Sequence, residues 1–249
     1  MTRVKTAQEV QAMRESGKML ATVLQLLKTS LVVGMATKDL ANLAATELKK
    51  LGGRPAFLGF QGYPDVLCTS INEEVVHGIP SPTKIIKEGD IVSLDFGVTY
   101  KGMITDAAIS CIAGKGRPED LTLVKVTQES LQAGIKTVHD GVYTGDIGSA
   151  VAKVLVKHNY GIIRDLVGHG VGHHLHEDPN VPNYGRKGTG TRLISGMTIA
   201  IEPMATLGDY EVYTAKDDWT VITADHSRSA HFEHSVIVTD SGVEVLTNI

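Results

Sequence analysis

The chain has 249 residues, of which 42% are apolar, 21% charged and 5% aromatic, the composition of a folded globular protein rather than a disordered one. A net charge of -4 without any long Lys/Arg run leaves no electrostatic footprint for nucleic acid, so no specific nucleic acid partner is expected. Residues 1–10 lack the apolar stretch of a secretory signal, no run approaches the ~18 apolar residues of a membrane span, and Cys68 and Cys111 have neither metal-site nor framework spacing; a cytoplasmic protein with reduced thiols is expected.

Thr6-Ala7-Gln8-Glu9 has capping-box spacing, and Val10, Met13, Leu20, Val23, Leu24 and Leu27 continue a helical apolar stripe to about Lys28. A second helix is predicted from a cap at Thr37 through Leu40, Leu43, Ala44, Leu48 and Leu51, with Gly52-Gly53 as its stop. Strands follow at residues 91–98 and 102–112. The plan then repeats, with a helix from about residue 119 to 138, a cap at Thr144, and a helix through Ile147, Val151, Val154 and Leu155 before Gly161. Further strands are predicted at residues 197–205, 211–213, 219–223 and 234–238. Helices segregate from strands, and turns as short as Tyr100-Lys101-Gly102 cannot make parallel crossovers. The fold class expected is therefore α+β, with helices packed on a largely antiparallel sheet.

A shift of 107 residues lays residues 87–95 over residues 194–202, so that Asp95 falls on Glu202. The same shift puts Gly34, Thr37 and Asp39 on Gly141, Thr144 and Asp146, the mark of an internal repeat. No Pro-rich linker divides the chain, so one domain of two related halves, about 1–115 and 116–249, is expected.

A turn centred on Tyr100 and Lys101 would set Asp95 directly opposite Asp106, and a long hairpin turning at Asp217-Asp218 would set Glu202 opposite Glu233. Like charges so placed repel, and a positive group is expected between them. Two divalent cations held by bridging carboxylates are a known hydrolytic arrangement. Gly168-His169-Gly170-Val171-Gly172 supplies a nitrogen ligand, its glycines letting the backbone crowd close. His173 and His174 are read as structural or solvent-facing. His176 in His176-Glu177-Asp178-Pro179 echoes His77 in His77-Gly78-Ile79-Pro80, and the two either flank a substrate or serve as hydrogen-bonded structural residues. His139 and His158 carry no such signal.

Gly62-Tyr63-Pro64, Ser70-Ile71-Asn72-Glu73, His77-Gly78-Ile79-Pro80, Asp95, Asp106, Gly168-His169-Gly170, Ile201-Glu202-Pro203-Met204 and Glu233-His234 together resemble the type I methionine aminopeptidases of the M24 metallopeptidases, over nearly the whole chain. That resemblance implies the pita-bread fold, a pseudo-twofold repeat, and a dinuclear centre of Asp95, Asp106, His169, Glu202 and Glu233, with Asp106 and Glu233 bridging. It implies metal-activated water attacking the first peptide bond, Glu202 as proton acceptor, and His77 and His176 contacting substrate and intermediate. The metals implied are two divalent ions, Mn, Fe(II), Co or Zn.

The methionine pocket implied by the resemblance is Phe57, Phe60, Tyr63, Cys68, Leu175 and Trp219, all of which core packing alone would also explain. The chain departs from familiar bacterial members at Phe57, Phe60, Gln61 and Leu175. Implied partners are peptide and nascent-protein N-termini with a small second residue, with the ribosome as a candidate and a monomer as the default state. Length favours type I: only 32 residues separate His169 from Glu202, where type II members carry an insertion, and residues 1–9 leave no room for the N-terminal domain of prolidase-like relatives. A non-catalytic binding module on the same fold is the alternative, although such proteins typically lose ligand residues that are all present in this chain.

Overall fold

The computed structural model describes residues 4–248; the first three residues of the charged N-terminal segment lie outside that range. Helix α1 (Ala7–Ser30) opens on the predicted reciprocal cap, in which the Thr6 hydroxyl accepts from Glu9 N at 3.3 Å and the Glu9 carboxylate accepts from Thr6 N at 2.7 Å. Its apolar stripe, including Met13, Leu20, Val23, Leu24 and Leu27, is fully buried. Helix α2 (Thr37–Leu51) stops at Gly52, whose φ of 84° is left-handed backbone that a Cβ would strain.

Thr37 and Thr144 are not caps but the first helical residues of α2 and of α4 (Thr144–Val156). The capping falls to the aspartates two positions on: Asp39 accepts from Ala36 N at 3.2 Å, and Asp146 from Tyr143 N at 3.1 Å. The threonine hydroxyls hold an incoming loop instead, Thr37 accepting from Ser81 N at 2.8 Å and Thr144 from Thr191 N at 3.2 Å. Helix α3 (Pro118–Ile135) begins with proline, whose missing N–H would be unpaired there anyway. No helix of the described residues is long and apolar enough to cross a membrane, and Cys68 and Cys111 are free and buried.

The strands are β1 (Arg54–Pro55), β2 (Cys68–Ile71), β3 (Glu74–Val76), β4 (Ile91–Tyr100), β5 (Met103–Ile112), β6 (Gly161–Ile162), β7 (Gly168–Gly170) and β8 (Glu177–Val181). They continue with β9 (Thr198–Ile201), β10 (Met204–Thr206), β11 (Val212–Thr214), β12 (Val221–Thr223), β13 (Ser229–His231), β14 (Glu233–Thr239) and β15 (Gly242–Val245). A nine-stranded curled sheet runs β1-β4-β5-β14-β9-β7-β8, with β2 added to β4 and β15 to β14, and every pairing is antiparallel. Helix α1 packs on β4 and β5, and α3 on α4 and the second half of the sheet, which closes a core of Leu24, Leu40, Phe96, Ile147, Ile199 and their neighbours.

The first hairpin corrects the expected register. Lys101 (φ 49°) and Gly102 (φ 80°) both take left-handed backbone, so the two-residue turn lies between Tyr100 and Met103. Asp95 therefore faces Ala108 and Asp106 faces Gly97, which makes the two acids diagonal neighbours on one face rather than opposed. The second hairpin keeps the expected register throughout: Ile201 pairs His234, Met204 pairs His231 and Thr214 pairs Val221, with Asp218 (φ 63°) at the turn. Glu202 thus stands across from Glu233.

Gly17 lets α1 press onto the chain's end, because a Cβ there would collide with the Leu246 carbonyl. Gly17→Ala should lower stability by about 1 kcal/mol or more in urea unfolding, as overpacking outweighs the gain in helix propensity. A stabilised variant, as on an exposed helix face, would contradict this contact.

Candidate metal centre and substrate pocket

Strand register assembles the acids before any long-range argument is needed. Reading across the sheet, Cys68 pairs Asp95, Asp95 pairs Ala108, and Ala108 pairs Glu233, with Glu202 next in the row. In the neighbouring row Asp106 pairs Gly97 and is clamped to Ser235, whose hydroxyl accepts from Asp106 N and donates to its carbonyl, both at 2.8 Å. Alanine, glycine and serine between the acids leave the concave face open above them.

His169 joins from β7, a strand of two glycines and one histidine. A Cβ on Gly168 would strike the Ala200 carbonyl, and one on Gly170 would lie 2.5 Å from the Asp178 carbonyl, so only glycine lets β7 fit between β8 and β9. The Gly170 carbonyl accepts from His169 Nδ1 at 2.9 Å, which leaves the Nε2 lone pair free and aimed at the acids. Burial, and then His176, lower the His169 pKa to about 3, so the ring is neutral and ready to ligate at pH 7.

Asp95, Asp106, His169, Glu202 and Glu233 all line one cavity of about 340 Å³. One ligand atom each from Asp106, His169 and Glu233 falls within 4.8 Å of the others, a group that could hold a metal ion. Glu202 Oε1 stands 3.4 Å from His169 Nε2, and Asp95 lies beside Asp106. Asp95 Oδ1, Asp106 Oδ1 and Glu233 Oε1 are buried without a hydrogen-bond partner, which is costly unless a cation supplies one. Oxygen donors with one neutral imidazole suit a divalent first-row metal.

The electrostatics agree. Burial, then the charge of Asp106, raises the pKa of Asp95 and of Glu202 well above the carboxylate range. Glu233 is raised by the same causes, and burial pushes Asp106 up to about 7.

His77 and His176 both line the same cavity. His77 has φ 60°, and Gly78 beside it is pinned between Thr69 N, which donates to its carbonyl at 2.8 Å, and Ser70 Oγ, which accepts from its amide at 3.0 Å. Burial, then His176, lowers the His77 pKa to about 4. His176 lies nearer the opening, its ring edge-on to His169 at 4.4 Å and to Phe60 at 5.2 Å. His173 is structural as expected, with Nε2 2.7 Å from Glu9 Oε1.

The apolar end of the cavity gathers Phe57, Phe60, Tyr63, Cys68, Leu175 and Trp219. Tyr63 and Trp219 meet edge-to-face at 5.1 Å, and the Tyr63 hydroxyl donates to the Leu67 and Gly78 carbonyls at 3.1 Å. Gly97 makes room for Phe57, since a Cβ there would lie 2.6 Å from its ring. Burial, then Asp95, raises the Cys68 thiol, which stays protonated and acts as apolar wall.

Sequence reasoning missed Asp165, Leu166 and Asn180, which line the cavity, and His231, buried with Nε2 3.7 Å from Glu202 Oε2. The two-residue spacing of His231, at the end of β13, from Glu233, at the start of β14, was the available signal.

A curled antiparallel sheet backed by helix pairs, with buried acids and one histidine open to a cavity, defines a metal-dependent hydrolase. Metallopeptidase family M24 matches residues 11–240, and the chain belongs to that family. It is 43% identical to a methionine aminopeptidase of Clostridium acetobutylicum and 40% identical to methionine aminopeptidase 1 of Bacillus subtilis, each over 98% of both chains. The crystal structure of methionine aminopeptidase from Thermotoga maritima superposes with a TM-score of 0.98 at 44% identity over the full length of both chains. Prolidase from Pyrococcus furiosus, 21% identical with a TM-score of 0.80, shares the pita-bread fold over 65% of its own chain.

Raised carboxylate pKa values mean that the metal-free fold favours the protonated acids. For Asp106 that contribution is fully present below about pH 4 and is lost as pH rises through about 7. Adding a divalent cation to stripped protein should therefore raise the melting temperature more at about pH 7.5 than at about pH 5. Equal shifts at both pH values, or none, would count against a shared cation site.

Proposed function

We infer that the chain is a divalent-metal-dependent methionyl aminopeptidase, which hydrolyses the first peptide bond of chains beginning with methionine and prefers a small second residue. The observation that carries this reading is the convergence of Asp95, Asp106, His169, Glu202 and Glu233, from adjacent strands, on a cavity whose other end is apolar. Asp95, Asp106, His169, Glu202 and Glu233 would hold two divalent ions, Asp106 and Glu233 as shared ligands; Mn, Fe(II), Co and Zn are the candidates. The whole chain acts as one catalytic domain of two related halves.

Bound divalent ions supply Lewis-acid polarisation of the scissile carbonyl and a lower pKa for the attacking water. Glu202 takes the proton from that water, helped by the burial that raises its proton affinity. Neutral His77 and His176 hydrogen-bond the substrate and the oxyanion as charge develops on it. Phe57, Phe60, Tyr63, Cys68, Leu175 and Trp219 take the methionine side chain, and Phe57, Phe60, Gln61 and Leu175 give this pocket its own shape. Polypeptide N-termini emerging at the ribosome are the proposed substrates, with a monomeric, cytoplasmic enzyme acting on them.

Metal-stripped protein resupplied with Mn, Fe(II), Co or Zn should release methionine from Met-Ala-Ser but not from its N-acetylated copy. No release with any of the four overturns the reading. Asp106→Asn should lower the occupancy of both ions, whereas His77→Ala should keep metal content and lose about 10²–10³ in turnover. Full occupancy in Asp106→Asn, measured by elemental analysis, removes the bridge.

A further inference from the structure

His231 ends β13 two residues before Glu233, with 1% of its surface exposed. Its backbone is fixed by one hydroxyl: Ser110 Oγ accepts from His231 N and donates to His231 O, each at 2.9 Å. The ring is different, because neither Nδ1 nor Nε2 has a hydrogen-bond partner. A buried imidazole left in that state is costly, and an apolar side chain of similar size would avoid the cost.

The ring faces Glu202. His231 Nε2 is 3.7 Å from Glu202 Oε2, while Oε1 of the same carboxylate is 3.4 Å from His169 Nε2. The two imidazoles differ in what they offer. His169 spends its N–H on the Gly170 carbonyl and turns a lone pair toward the acids. His231 has no acceptor at Nδ1, so the carboxylate selects the tautomer with its proton on Nε2. Closing the gap to hydrogen-bond length takes roughly half an ångström, within the reach of a side-chain adjustment.

We propose that His231 is a positioning residue for Glu202: its Nε2–H holds Oε2, fixing the carboxylate so that Oε1 keeps its place beside His169 at the cation site. The proposal rests on the reading of Glu202 as metal ligand and proton acceptor. The orientation of Glu202 then depends on one donor from β13, and a cation approaching Oε1 meets a carboxylate already turned to receive it. A partner of this kind typically contributes about 10- to 100-fold in metal affinity or activity.

The test compares H231L, which removes the donor at similar volume, with H231Q, which returns an N–H near the position of Nε2. Calorimetric titration of metal-stripped protein with Mn or Co should show affinity about 10-fold weaker or worse in H231L and mostly restored in H231Q. In the loaded enzymes, kcat on Met-Ala-Ser should fall about 10- to 100-fold in H231L, with KM changed less than about twofold, and recover most of that loss in H231Q. If H231L does not fold, as judged by the melting temperature of the stripped protein, H231N takes its place, since its amide reaches only the Nδ1 position. Parent-like affinity and kcat in the donor-free variant overturn the proposal, and so does an H231Q as impaired as H231L. The calorimetric arm needs no turnover, so an inactive parent would sink the aminopeptidase reading while leaving this result to stand or fall alone.

Discussion

Mutual repulsion among buried carboxylates is the constraint on which the rest of this structure depends. Two like charges 4 Å apart repel by about 4 kcal/mol at an effective dielectric of 20, and Asp95, Asp106, Glu202 and Glu233 crowd one part of this cavity. The sheet tolerates them because register, not flexible side chains, sets their spacing. Ala108 and Gly97 stand directly opposite Asp95 and Asp106, and Ser235 ties down the Asp106 backbone, so each acid is delivered by a rigid strand to a space left empty by its neighbours. A cation answers that arrangement, because the orphaned oxygens of Asp95, Asp106 and Glu233 have no other partner.

Much of this was legible in the sequence, for reasons that differ by element. The long second hairpin kept its expected register because alternation and the Asp217-Asp218 turn agreed over many pairs. The first hairpin slipped by one residue at each side of its turn, since Gly102 moves the left-handed pair to Lys101 and Gly102. Strand β7 could not be read from β-formers, because two glycines and a histidine form it by close approach to neighbouring carbonyls. His231 was hidden among ten histidines, as its meaning comes from Glu202, which lies 29 residues earlier in the chain and across the hairpin.

The internal repeat proves to be a repeat of joints as much as of ligands. In each half an aspartate closes the start of the second helix while a threonine beside it grips the loop that leads back to the sheet. The two loops so gripped, at Ser81 and Thr191, precede β4 and β9, the strands that deliver Asp95 and Glu202. Helix packing and ligand placement are thereby coupled twice by the same local chemistry. His169 and His231 lie outside this symmetry and make the two acid pairs unequal.

The loop that carries His176 is moored at a distance. Glu177 accepts from His173 N at 2.6 Å and His174 N at 3.0 Å, and pairs with the buried Lys5 at 2.9 Å, while His173 reaches Glu9 at the start of α1. The opening segment of the chain is thus a guy-rope for one wall of the cavity. A substitution at Lys5 or Glu9, remote in sequence from every ligand, would slacken that rope and reach the cavity through it.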